Sequence, residues 1–201
     1  YAQTLNIMKS IIKLTTTLVL TNFLLKSQTT SYGLVNKLNE TITSATDTAN
    51  LAPIVKAAPN TYVVSTNNKV SSTQNDIKTT CLNGNIAVQW SQQHNAGVNK
   101  AFSTANARDN AGNIIVVGST NTGGINGQDI TVIKYAPSGG IPIWVKYYNG
   151  PGNSYDVASS LVVDAANNIY VTGASVGGFF QQIDYVTIKF NSNGTQLWAS
   201  F

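Results

Sequence analysis

Three observations predict an all-β chain built of propeller blades, each a sheet of four antiparallel strands. The tryptophans Trp90, Trp144 and Trp198 are spaced 54 and 54 residues apart. Two blocks recur between them at an offset of 55: Asp109–Ser119 matches Asp164–Ala174, and Asp129–Tyr135 matches Asp184–Phe190. Each copy also contains four short β-rich runs divided by turn residues, which is the content of one blade. With two clear copies and a third in question, the sequence predicts an incomplete propeller, because rings close with about four to eight blades.

Bulk composition agrees with a folded chain. Of 201 residues, 42% are hydrophobic and only 10% charged, which is a globular balance. The formal charge of +4 invites a nucleic-acid reading, and its distribution removes that reading. Lys9, Lys13 and Lys26 flank one N-terminal apolar stretch, and without them nine basic residues face eight acidic ones. So even a balance attracts no phosphate backbone.

Residues 1–7 precede the single methionine, Met8, and read as in-frame translation upstream of a start there. Residues 8–30 have the layout of a signal peptide: a basic start at Lys9 and Lys13, an apolar core from Leu14 to Leu25, and a polar exit at Lys26-Ser27-Gln28. The core is short of the ~20 apolar residues that span a bilayer, so no transmembrane segment is expected in the mature chain. Residues 31–46 form a polar segment. Residues 47–90 admit two readings, a degenerate blade or a polar extension. At an offset of 108, Asn60–Val64 meets Asn168–Thr172 and Asp76 meets Asp184, while Lys56 replaces the turn aspartate.

Residues 91–144 and 145–201 are the two clear repeats. In the second, strands are expected at Val157–Val163, Ile169–Ala174, Tyr185–Phe190 and Thr195–Ala199. Period-two alternation is plain in the third run, where Tyr185, Thr187 and Lys189 oppose Val186, Ile188 and Phe190. The first turn is headed by Asp109 or Asp164, whose side chain can bond its own backbone, and the Gly or Asn that follows takes positive φ. The last turn, Ser138-Gly139-Gly140 or Asn193-Gly194, has hairpin chemistry. Gly118 and Gly173 end the second run and were expected, with Ala158 and Ser103, to let neighbouring blades approach closely. Trp144 and Trp198, on the fourth run, are expected to wedge between blades.

These residues resemble the SBBP (seven-bladed β-propeller) repeat family of bacterial exported proteins. The motif Ala-x-x-Asp-x-x-Gly-Asn-x-Tyr-Val-Thr-Gly, then Asp-Tyr-x-Thr-x-Lys-Tyr and Asn-Gly-x-x-x-Trp, is followed almost position by position from Asn149 to Trp198. Residues 91–144 follow it with losses, among them Ile115 in place of Tyr. The resemblance implies a secreted or cell-surface scaffold. It carries no catalytic residue, cofactor or metal ligand to transfer.

The chemistry-bearing residues point the same way. His94 is the single histidine and Cys81 the single cysteine, so no zinc cluster or internal disulfide is expected. Asp109, Asp164, Asp129 and Asp184 recur at equivalent positions, which reads as structure shared by every blade. No Asp-x-Asp-x-Asp-Gly calcium loop is present. Phe179 and Phe180 lie in a loop that differs between copies and are the candidate ligand contacts, able to stack on a sugar ring or anchor a protein. The expected function is therefore a scaffold that binds protein or glycan through its loops, without catalysis or cofactor. The alternative is an accessory or catalytic propeller domain of an extracellular polysaccharide-degrading enzyme.

Overall fold

The computed structural model describes residues 55–58, 61–70, 74–85, 87–94, 100–122, 127–177 and 183–201. Residues 1–7, the expected signal peptide at 8–30 and the polar segment 31–46 lie outside the described residues. Twelve strands and no helix are present among those described. They form three four-stranded antiparallel sheets in simple sequential order.

The first sheet contains β1 (Val55–Ala58), β2 (Thr61–Lys69), β3 (Asn75–Asn83) and β4 (Val88–His94). The second contains β5 (Ala101–Arg108), β6 (Ile114–Thr120), β7 (Asp129–Tyr135) and β8 (Pro142–Tyr148). The third contains β9 (Asp156–Val163), β10 (Ile169–Val176), β11 (Ile183–Phe190) and β12 (Gln196–Ser200). The expected strands of the last repeat thus stand within two residues of their observed ends.

The sheets stack through their first strands: β5 lies against β1, β2 and β3, and β9 against β5, β6 and β7. The second sheet is therefore covered on both faces, and β6 and β7 are buried along their whole length. One core, with Val63, Ile77, Ile114, Val116, Ile133 and Tyr135, fills the joint between the first and second sheets. Another, with Ile115, Val117, Ile130, Val132, Val171 and Ile188, fills the next joint. Alternation explains the division: Ile114 and Val116 turn to one core, Ile115 and Val117 to the other. The three sheets do not close into a ring.

Residues 55–94 form a full four-stranded sheet, so the degenerate-blade reading describes this segment. Its alignment needs a correction. Val63, not Tyr62, stands opposite Cys81, as Ile115 stands opposite Lys134 and Tyr170 opposite Lys189. Lys56 is no turn residue either; it pairs with Tyr62 inside the β1–β2 ladder. Two residues separate the paired Ala58 and Thr61, where five separate Arg108 from Ile114 and Val163 from Ile169, and this takes Lys56 into the ladder. The slip at Val63 arises between the second and third strands: Val63 and Cys81 are 18 residues apart, whereas Ile115 and Lys134, like Tyr170 and Lys189, are 19 apart. A one-residue slip exchanges the two faces of a strand.

Gly118 and Gly173 allow close approach within their own sheets, and a Cβ on Gly118 would also meet Ile77 Cδ1 of the neighbouring first sheet at 3.0 Å. A Cβ on Gly118 would fall 1.9 Å from the Phe102 carbonyl oxygen, and one on Gly173 would fall 2.1 Å from that of Val157. Both carbonyls belong to the first strand of the same sheet, where β5 and β9 carry a bulge. The glycines make room for the bulge.

Candidate functional site

The ends of the sheets differ in chemistry. At one end lie the turns that join first to second and third to fourth strands. At the other lie the loops between second and third strands and the linkers between sheets.

The turn end is built for cohesion. Asp109 Oδ1 accepts the Asn113 backbone N–H (2.8 Å) and its Oδ2 accepts Asn113 Nδ2 (2.8 Å). Asp164 repeats both bonds with Asn168. Gly112 and Asn167 take the positive φ that this turn requires, 87° and 64°. Successive turns are stitched together: the Asn110 N–H donates to Asn167 Oδ1 (2.8 Å) and Asn110 Nδ2 donates to the Ala165 carbonyl (3.0 Å).

The tryptophans complete this end. Trp90 on β4 packs against the hairpin of the second sheet, where a Cβ on Gly139 would lie 2.1 Å from the indole. Trp144 on β8 meets the hairpin of the third sheet, where a Cβ on Gly194 would lie 2.9 Å from its ring. Trp144 Nε1 also donates to the Ser192 carbonyl (3.3 Å), which accepts Lys134 Nζ as well (3.0 Å). Lys134 is at the same time paired with Asp109 at 2.9 Å, nearly out of contact with water. Burial raises the Asp109 pKa, but the bonds from Asn113 and Lys134 outweigh it and hold this carboxyl below its ordinary range. Trp198 sits on β12 and is 42% exposed.

The first joint lacks the charged part of that arrangement. Cys81 stands opposite Trp90 as Lys134 stands opposite Trp144. Trp90 Nε1 is buried without a hydrogen-bond partner, and its ring rests on Tyr135 at 5.7 Å. Burial raises the Cys81 thiol pKa.

The loop end presents the groups that can meet a ligand. Asp129 and Asp184 both begin third strands, yet Asp129 is buried and accepts a bond from Thr122 Oγ1, while Asp184 is exposed. Asp76 is buried and bound by Gln93 Nε2. Asp156, which no repeat comparison singles out, is buried at the start of β9; its Oδ2 accepts the Gly150 N–H (2.8 Å). Burial, and then the neighbouring Asp129 charge, raise the Asp156 pKa above the ordinary carboxylate value. These three carboxylates fasten the loops to the sheet ends.

Above them, Tyr147 OH lies 3.1 Å from His94 Nε2, joining the last strands of the first two sheets. Burial lowers the His94 pKa, partly offset by Asp76, so the ring is neutral at neutral pH. Tyr147 and Tyr155 are 45% and 59% exposed. Sequence spacing does not join this pair, because the two residues stand 53 positions apart on strands of different sheets. Phe179 and Phe180, the contacts it named, lie outside the described residues. No group of three His, Cys, Asp or Glu side chains able to hold a metal occurs among the described residues, and no described helix is long and apolar enough to cross a membrane.

No curated protein matches the chain. Residues 143–180 match the SBBP family model, a beta-propeller repeat, which is the family that the motifs resemble.

Proposed function

We propose that this chain is part of a secreted or cell-surface β-propeller scaffold that binds protein or glycan through its loop end and acts by binding rather than catalysis. The observation that carries this reading is the His94–Tyr147 pair at the loop end, where the Tyr147 ring is 45% exposed. The pair combines flat aromatic surface with hydroxyl and imidazole groups at a loop end fastened by buried carboxylates. Rings of this kind stack on sugar faces or fill a partner's pocket. A rigid sheet frame with variable loops is the arrangement in which binding surfaces commonly arise.

Two experiments test it. The purified chain is applied to a glycan array beside its Tyr147→Ala and Tyr155→Ala variants; retained glycan that both variants lose supports the reading, and binding unchanged in the variants overturns the site. Export is tested by fusing residues 8–30 to a reporter active only outside the cytoplasm. A silent reporter removes the secreted half of the proposal.

A further inference from the structure

Two buried carboxylates of this molecule are served in opposite ways. Asp109 has a cation, Lys134, at 2.9 Å. Asp156 is 1% exposed, and no ion pair reaches it among the described residues. Its Oδ2 accepts the Gly150 N–H, while its Oδ1 is buried without a hydrogen-bond partner. Ser175 Oγ is buried and unpartnered as well. Both oxygens lie against Gly150, where a Cβ would fall 2.1 Å from Ser175 Oγ and 2.7 Å from Asp156 Oδ1. The cover over the acid is therefore the backbone of the linker between the second and third sheets.

That cover is lightly held. Gly152 N–H donates to the Val176 carbonyl (3.1 Å), and Val176 N–H donates to the Tyr155 carbonyl (3.2 Å). Pro151, Asn153 and Tyr155 are exposed, so little apolar burial fastens the segment. Asp156 itself stays anchored from below, its N–H bound to the Gln128 carbonyl (2.6 Å) beside Asp129. The groups that face its carboxyl are Asp129 from β7, Tyr148 from the end of β8 and the uncharged Ser175 from β10. Burial first, and then the Asp156 charge, raise the Tyr148 phenol, which is neutral through the acid and neutral range. Lys100, just before β5, is exposed and makes no ion pair with Asp156.

We propose that residues 149–155 are a lid that closes over Asp156 while its carboxyl carries a proton and opens as the carboxyl ionises. Opening gives water to two buried oxygens that the closed form leaves without partners, and such groups are costly to keep. It also screens the Asp156 charge from Asp129. The direction follows from linkage. Burial and the Asp129 charge hold the folded pKa above the ordinary carboxylate value, so the closed form is favoured below that value and opening gains as pH rises through the raised one. The lid carries Tyr155, and its position sets how that ring is presented at the loop end, whatever that end binds.

The test is amide hydrogen exchange of the full chain, read as protection relative to an unstructured peptide at the same pH. Protection of the Gly152 and Val176 amides is expected to fall about tenfold between about pH 4 and 7. At the upper pH it is expected to stand at least about tenfold below that of Ile188, a core amide that reports global unfolding. Asp156→Asn, which keeps an acceptor for the Gly150 N–H, should abolish the pH dependence, and Asp129→Asn should reduce it. Protection of Gly152 and Val176 that is flat with pH overturns the proposal. So does a slope that survives in Asp156→Asn, or lid amides as protected as Ile188, which would mean that Asp156 meets water only when the whole chain unfolds.

Discussion

Lys134 Nζ lies 2.9 Å from Asp109 Oδ2, and this buried ion pair joins the first turn of the second sheet to its third strand. Because the same ammonium also reaches the Ser192 carbonyl, the pair acts across a joint as well as within a sheet.

Removing Asp109 leaves Lys134 charged and unpaired out of water. Asp109→Ala is expected to cost about 3–5 kcal/mol, measured by urea unfolding, whereas Asp164→Ala, at the more exposed equivalent turn, loses only turn bonds and costs less. The pH dependence follows from the lowered Asp109 pKa. Its contribution is present above the ordinary carboxylate value and is lost as pH falls through the lowered folded value. Equal costs for the two alanine variants would contradict a special role for the ion pair.

The hairpin glycines separate backbone cost from contact cost. Gly139 and Gly140 both have positive φ, 82° and 88°, but a Cβ on Gly139 strikes Trp90 and one on Gly140 meets nothing within 4 Å. Gly140→Ala is expected to cost about 1–2 kcal/mol for the left-handed backbone alone. Gly139→Ala should cost a further 1–3 kcal/mol or so from overpacking against the indole. If the two variants unfold at the same urea concentration, Trp90 is not the neighbour that matters.

Asp156 should give the opposite pH response from Asp109. With its folded pKa raised, the native state holds its proton more tightly than the unfolded chain does. Stability therefore declines as pH rises from the ordinary carboxylate value through the raised one. Asp156→Asn keeps an acceptor for the Gly150 N–H and removes the titration. Unfolding midpoints between about pH 3 and 7 should flatten in this variant; a slope that persists assigns it to another group.

Cys81 is buried and its thiol is raised by burial, so little reactive thiolate forms in the folded chain. Labelling by an aromatic disulfide reagent is expected to follow the unfolding transition in urea. Labelling in native buffer at the rate of an exposed thiol would show that the first sheet opens without global unfolding.

Much of the fold was legible because recurrence and alternation are properties of side chains. Asp164, Gly173, Lys189 and Trp198 each have a counterpart at a fixed distance, and the strands between them alternate, so the third sheet could be bounded closely. The first sheet was harder. The Asp-headed turn that anchors the alignment in other sheets is replaced by two residues between Ala58 and Thr61, and one residue fewer between the second and third strands shifts Val63 into the place expected for Tyr62. The candidate site was less legible still. Tyr147 meets His94 from a different sheet, and Asp156 binds a backbone N–H. Neither relation leaves a spacing in the chain. Lys134 recurs as Lys189, yet its partner across the joint is a carbonyl, which every residue possesses.

The stitch from Asn110 to Asn167 and Ala165 has a further consequence. With the indole contact fixing the outer end of the same joint, the rotation between the second and third sheets is defined at two separated points. A joint that repeats this geometry turns each new sheet by one constant increment, as expected where every unit contacts only its neighbours. Duplicating the gene segment then prolongs an arc of set curvature, and the copy number at which the arc meets itself is written in the angle of a single joint.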